Sequence, residues 1–312
     1  MKTKIILDCD PGLDDAIAIM LAALSDKIDL LGITTVSGNQ KIENATRNAR
    51  TMLDEIGKTN IPVCKGASNS LSKEMQDENI YDIHGYDGLG DLEIPIGQTP
   101  IDERDAITFL KEILENDENV TLVAVGPLTN IANLFKEYPY VVKRVKELVV
   151  MGGAFTEKGN VTPYAEFNIF KDPIAADVVF KSGCNITLVP LDATHQTCVT
   201  EYFIRKLETA NTKTSLLAAK LIKRYAEGNT KVTGEYMCPV HDALCVGYIT
   251  DRSVLGLVNA SVKVVLANGD YRGKTFASKE DEENEFSDVV VAHQVDDKKF
   301  SDILEDTLIK EI

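Results

Sequence analysis

Asp8-Cys9-Asp10-Pro11-Gly12-Leu13-Asp14-Asp15 follows the apolar run Ile5-Ile6-Leu7 and precedes an apolar helical pattern from Ala16 to Leu24. That order reads as a strand, a tight Pro-Gly turn and a helix start, with four carboxylates in eight positions. Asp8 and Asp10 stand at strand spacing and should point to one face, with Cys9 packing on the other. Asp14 and Asp15 fall in the first helical turn, where unpaired N–H groups and the macrodipole favour negative charge. One carboxylate suits such a terminus; four do not. Two like charges about 4 Å apart repel by roughly 4 kcal/mol at an effective dielectric near 20. Either protons or a cation must neutralise the cluster, and an oxygen-only donor set points to Ca²⁺ or Mg²⁺.

Outward from this stretch, strand-like and helical runs alternate. Leu30–Val36, Ile61–Cys64, Val120–Val125, Leu148–Met151, Ile186–Pro190 and Val289–Ala292 read as strands. Glu43–Ile56, Asp102–Leu114, Leu128–Phe135, Pro173–Phe180, Thr200–Leu207, Thr214–Glu227, His241–Tyr248 and Lys298–Ile309 read as helices. Ser261–Leu266 with Asn268-Gly269 signals a hairpin. The expected fold is a single α/β domain over residues 1–312. It has a mainly parallel, Rossmann-like central sheet, helices on both faces and a small antiparallel C-terminal hairpin. Ligands in such sheets bind beyond the carboxyl ends of the strands. Asp8, Asp10, Asn39, the Gly126 turn, Gly152-Gly153 and Asp192 all fall at those ends. Residues 65–100, rich in Gly, Asn, Asp and Ser, form a long loop expected to act as an active-site lid.

The 312 residues are 44% hydrophobic and 26% charged, an ordinary globular composition. A formal net charge of −16 argues against a nucleic-acid binder and suits cation binding. Met1-Lys2-Thr3-Lys4 runs directly into a strand, and no stretch approaches the ~20 apolar residues of a membrane span. Six scattered cysteines without a CxxC pair read as thiols of a reducing cytoplasm.

Three more pieces carry polar chemistry. Val161–Asn168 alternates polar groups in what reads as an extended segment, so Asn160, Glu166 and Asn168 would present one row of hydrogen-bonding groups. Pro239-Val240-His241-Asp242 opens a helix with an ionisable pair. Val125-Gly126-Pro127-Leu128-Thr129-Asn130 is a turn whose backbone carbonyl could serve as a ligand. Taken singly, each also fits a bland role: an edge strand, a helix cap, a plain connection.

Taken together they resemble the nucleoside hydrolase family, specifically the inosine–uridine-preferring group. The matching pieces are Asp8-x-Asp10-Pro11-Gly12-x-Asp14-Asp15, Thr35-Val36-Ser37-Gly38-Asn39, His84-Gly85-x-x-Gly88-Leu89-Gly90, Gly126-Pro127-Leu128-Thr129-Asn130, Met151-Gly152-Gly153, Glu166-x-Asn168 and His241-Asp242. They run in order over nearly the whole chain. The resemblance implies a Ca²⁺ held by Asp10, Asp15, Asp242 and the carbonyl of Val125, where relatives often have Thr. It implies a ribose held by Asp14, Asn39, Met151, Asn160, Glu166, Asn168 and Asp242. Asp10 would act as general base and His241 as the acid that protonates the leaving base. His84, Tyr225 and Phe167 would lie on the base side, Tyr225 on a mobile helical region of about residues 214–239. The reaction implied is N-glycosidic hydrolysis of ribonucleosides of the inosine, uridine or cytidine type, by a homotetramer or homodimer. The absence of Trp excludes a base sandwiched between tryptophans, as in purine-specific relatives.

Two rivals remain from the residues. Haloacid-dehalogenase-type phosphatases also open with a strand ending in Asp-x-Asp but expect Thr two residues later, where Gly12 stands. A Ca²⁺-dependent nucleoside-binding protein would keep Asp10, Asp15 and Asp242 without needing His241 or Asp14.

Overall fold

A computed structural model describes residues 2–72, 81–234, 236, 238–278 and 287–311. The elements are β1 (Thr3–Cys9), α1 (Leu13–Leu24), β2 (Ile28–Thr35), α2 (Ile42–Glu55), β3 (Val63–Lys65), α3 (Tyr81–His84) and α4 (Ala106–Asn116). There follow β4 (Val120–Ala124), α5 (Thr129–Glu137), β5 (Val145–Met151), α6 (Phe167–Lys171), α7 (Pro173–Phe180), β6 (Ile186–Val189) and α8 (Leu191–Thr194). The chain closes with α9 (Glu201–Ala210), α10 (Lys213–Thr233), α11 (His241–Thr250), β7 (Leu255–Val264), β8 (Thr275–Ser278), β9 (Ser287–Val295) and α12 (Asp297–Leu308).

The strands form one sheet in the order β3-β2-β1-β4-β5-β6-β9-β7-β8. From β3 through β9 the pairing is parallel. β7 runs antiparallel to both β9 and β8. The chain winds outward from β1 to β3, then crosses back to lay β4 on the other side of β1. The carboxyl ends of β1 and β4 therefore form the switch point at which such sheets open a crevice.

Both faces of the sheet are covered, as its apolar strands require. Ile5, Leu7 and Cys9 enter one core with Ile17, Met20, Leu221 and Val246. Ile6 enters the other with Phe109, Leu122, Ile131 and Val179. Helix α1 is buried at every position but Ala23, because it lies between the sheet and α10, α11 and α12. Burying each Ile or Leu contributes roughly 1.5–3 kcal/mol, which holds the aspartate-bearing end of α1 firmly in place. Among the described residues no helix is long and apolar enough to cross a membrane.

Four local expectations are corrected. Val161–Asn168 is not an extended strand: it bends back on itself, and Glu166 caps a short helix that contains Asn168. Polar alternation imitates a strand, but the Glu166 carboxylate takes the Asn168 and Ile169 N–H groups and starts a helix instead. The C-terminal hairpin forms, but as the edge of the central sheet, and residues 265–274 connect β7 to β8 rather than a tight Asn-Gly turn. The loop at 65–100 contains α3; residues 73–80 of that expected lid lie outside the described residues. The helix expected at Thr214–Glu227 runs on unbroken to Thr233.

Candidate active site

Asp10 is the first residue beyond β1, and its side chain is enclosed by backbone. Its Oδ2 accepts the Asn39 N–H at 2.5 Å. A Cβ on Gly38 would lie 2.0 Å from Oδ2, and one on Gly126 would lie 2.6 Å from Oδ1. Only glycine permits two chain segments to approach the carboxylate this closely. Asp15, in the first turn of α1, closes the Pro-Gly turn by accepting from the backbone N–H of Asp10 (3.1 Å) and of Gly12 (2.9 Å). The Asn39 amide adds a third contact to Asp15 at 3.3 Å. Asp14, the next position on α1, accepts from the Tyr225 hydroxyl at 3.3 Å. Asp242 arrives from the first turn of α11 and is buried. One oxygen each of Asp14, Asp15 and Asp242 lies within 4.8 Å of the others.

Burial pushes the carboxyls of Asp10, Asp14, Asp15 and Asp242 up from the usual range, and mutual repulsion adds to it at Asp10, Asp14 and Asp242. Asp14 reaches about 8. Four ionised carboxylates are unstable there without a compensating charge. Among the described residues, Asp10 Oδ1 and Asp14 Oδ1 are buried and have no hydrogen-bond partner, the condition expected of oxygens that ligate a hard cation. The donor set fits a metal ion.

The far wall of the crevice is built by Glu166 and Asn168. Glu166, its acid form favoured by burial, accepts from Gly153, Asn168 and Ile169 N–H groups. That fixes Asn168, whose Nδ2 donates to the Val125 carbonyl at 2.8 Å and approaches the Met151 carbonyl at 3.3 Å. A carbonyl has two lone pairs, so Val125 keeps one for another partner.

Two buried imidazoles lie beside the cluster. His84, at the end of α3, accepts the Leu13 N–H at Nδ1 (3.1 Å) and stacks on Tyr225, with ring centroids 5.8 Å apart. Burial, aided by Arg224, lowers its pKa to about 4. The loop behind His84 is fastened down: Asn48 donates to the Asp87 carbonyl and Arg224 to that of Gly90. His241 opens α11 with its Nδ1 2.7 Å from the Thr194 hydroxyl, and its ring centroid lies 5.6 Å from that of His195. Burial lowers its pKa to about 3, with His195 and His84 adding to the effect. Burial thus favours the neutral form of both rings.

Not every expected residue joins the site. Asp8 accepts from Thr34 and from Asn130 inside the sheet, and burial raises it to about 7. It therefore supports the floor rather than the cluster. Asp192 accepts the N–H groups of Phe155, Thr156 and Glu157, so it anchors that loop instead of lining the crevice. Asn160 and Phe167 stay with the expected set: Asn160 is exposed and its Oδ1 accepts the Phe167 N–H, and the Lys171 ammonium lies over the Phe167 ring. Two contributors had no sequence signal of their own. Thr194 and His195 surround His241, and only the return of the chain after β6 brings them there. Asn130, already conspicuous in its motif, ties Asp8, the Thr35 carbonyl and the Ala67 N–H together.

The model of the inosine-uridine preferring nucleoside hydrolases matches residues 5–302. An inosine-uridine preferring nucleoside hydrolase of Crithidia fasciculata is 38% identical over 99% of this chain and 98% of its own. A pyrimidine-specific ribonucleoside hydrolase of Escherichia coli is 38% identical over 88% of this chain and 87% of its own. Among solved structures, a plant nucleoside hydrolase superposes with a TM-score of 0.94 at 30% identity, covering 99% of each chain. A purine-preferring ribonucleoside hydrolase from Gardnerella vaginalis gives 0.91 at 31% identity, covering 98% of each. The likeness runs the length of the chain, and the class it defines is the N-glycosyl hydrolases. This chain belongs to the inosine-uridine preferring nucleoside hydrolase family. Membership removes the phosphatase and non-catalytic readings of the aspartate-rich opening.

Proposed function

We propose that the protein is a Ca²⁺-dependent hydrolase of inosine, uridine and cytidine, releasing ribose and free base. The observation that carries this reading is the buried carboxylate cluster, with oxygens of Asp10 and Asp14 unpartnered among the described residues, beside the buried imidazoles of His84 and His241. Asp10, Asp15, Asp242 and the Val125 carbonyl would hold the ion. When bound, Ca²⁺ neutralises the cluster and makes a neighbouring water more acidic.

The remaining steps belong to the chain. The C1′–N bond breaks with its electron pair passing to the base, while positive charge develops on the ribose. The carboxylates around the sugar stabilise that charge. Asp14, Asn39, Met151, Asn160, Glu166, Asn168 and Asp242 grip the ribose, making remote binding energy available to the transition state. Water attacks C1′, and Asp10 Oδ1 takes its proton. His241, having picked up a proton in the substrate complex, delivers one to the departing base, whose growing negative charge favours the charged ring. His84, Tyr225 and Phe167 form the base-side wall, with helix α10 moving as substrate enters. The family reading also carries a cytoplasmic enzyme of purine and pyrimidine salvage, assembled as a homotetramer or homodimer. The six free thiols suit a reducing compartment.

The test is release of ribose as reducing sugar from inosine, uridine, cytidine and adenosine, without added phosphate. Ribose from the first three, lost on treatment with a strong Ca²⁺ chelator and restored by Ca²⁺, is expected. Full activity after the ion has been stripped, verified by elemental analysis, would refute the metal assignment.

A further inference from the structure

His241 is gripped at one nitrogen by a residue on a different element. Thr194 ends α8, the four-residue helix that follows β6, and is fully buried. Its hydroxyl lies 2.7 Å from His241 Nδ1, and among the described residues no other hydrogen bond reaches that oxygen. This determines the direction of the bond in the neutral ring. If Nδ1 carried the proton, the threonine hydrogen would be buried without an acceptor, whereas a hydroxyl donating to Nδ1 leaves no group unsatisfied. The ring's proton then sits on Nε2. When the ring is charged, the hydroxyl rotates and its oxygen accepts from Nδ1–H; delivery of the Nε2 proton leaves a neutral Nδ1–H ring, whose unpaired threonine hydrogen drives proton exchange with solvent back to the Nε2–H form. In both states Nδ1 is engaged and Nε2 is the nitrogen left to serve the base.

The support of the ring does not end with Thr194. His195, the next residue, lies against the His241 ring, and Glu157 holds His195 Nδ1 at 3.2 Å. The Glu157 N–H is in turn held by Asp192 on α8. The ring is thus fixed edge-on by Thr194 and flanked by an imidazole that is itself tethered.

We propose that Thr194 is a positioning residue for catalysis: through Nδ1 it fixes the orientation and tautomer of His241, so that Nε2 faces the leaving base. This rests on the reading of His241 as the general acid, and the experiment separates the two. Turnover of inosine and of p-nitrophenyl riboside, whose leaving group needs no proton, is compared in Thr194→Val, Thr194→Ser and His241→Ala with Ca²⁺ present. Correct placement of a general acid contributes about 10²–10⁴-fold. Thr194→Val is therefore expected to lower kcat on inosine by about 10–100-fold with KM little changed, and to spare the nitrophenyl substrate. Thr194→Ser, which keeps the hydroxyl, should recover most of the loss. Imidazole ¹⁵N shifts of the four histidines supply a readout independent of turnover. His241 should be the Nε2–H tautomer in the native enzyme and shift toward Nδ1–H in Thr194→Val.

Equal losses on both substrates, or no recovery by serine, would reduce Thr194 to a packing residue and overturn the proposal. So would an unchanged tautomer, or a normal Thr194→Val beside a His241→Ala that is selectively impaired on inosine. In that last case the general-acid reading stands. Equal impairment of His241→Ala on both substrates removes the general acid itself, and the proposal with it.

Discussion

The Tyr225 hydroxyl donates to Asp14 Oδ2 across 3.3 Å, joining helix α10 to the first turn of α1. The same tyrosine stacks on His84, so one side chain connects that imidazole to the carboxylate cluster. Tyr225→Phe keeps the stack and loses the hydrogen bond. A buried hydrogen bond to a carboxylate is worth about 1.5–3 kcal/mol, so a lower Tm and a several-fold rise in KM for nucleosides are expected. Thermal melts and steady-state kinetics on inosine check both; an unchanged Tm and KM would show that the bond contributes nothing.

Asp10→Asn separates stability from catalysis. Burial and the charge of Asp15 disfavour the ionised Asp10 side chain, so a neutral amide relieves repulsion in the metal-free protein. Without metal, and at a pH near 9 where the wild-type cluster ionises, the variant should be more stable than wild type by an amount of order 1 kcal/mol, read as a higher Tm. Its turnover should fall at least about 100-fold with loss of the general base. Near-normal activity would remove Asp10 from the mechanism.

The metal-free protein should lose stability as pH rises. Asp8 and Asp14 stand at about 7 and about 8 in the folded protein, raised chiefly by burial from an ordinary 3.8. A folded-state pKa above the unfolded one means that the folded chain binds protons more tightly. That stabilisation is complete below about pH 4 and disappears as pH passes through 7 to 8. Calorimetry at pH 5, 7 and 9 with chelator should show Tm falling in that order. Saturating Ca²⁺ at 100 times its Kd adds about 2.7 kcal/mol and should flatten the decline by favouring the ionised cluster. A metal-free Tm that rises from pH 5 to 9 would contradict the burial argument.

Gly126→Ala tests the enclosure of Asp10. The new Cβ would meet Asp10 Oδ1 at 2.6 Å, a contact that forces the carboxylate or the β4–α5 turn to shift. Misplacement by about 1 Å costs on the order of 100-fold in rate. Ca²⁺ affinity by titration calorimetry should weaken alongside turnover, while a wild-type affinity would show that the turn yields freely.

Much of the site was readable because its residues cluster locally. Asp10, Asp14 and Asp15 fall within six consecutive positions at a strand-to-helix junction, and repulsion among them calls for protons or a cation whatever the fold. Glu166 and Asn168 stand out in the sequence but read as a strand, since alternation reports polarity and not which N–H groups a carboxylate will cap. Asp8 and Asp192 were placed in the crevice by position alone; the Thr34, Asn130 and loop N–H groups that engage them come from distant segments.

The sequence by itself determined the alternating α/β layers, the apolar faces that bury α1, and the need to neutralise an aspartate-rich turn. Those follow from periodicity and charge, which act over a few residues. Tertiary structure alone decided that Asp242 joins Asp14 and Asp15, that Tyr225 spans 211 positions to reach Asp14, and that Thr194 meets His241. Each of these contacts depends on the crossover from β3 to β4 and on the packing of α10 and α11 over the sheet. Such contacts are fixed by the way buried faces fit together, and no local pattern encodes them.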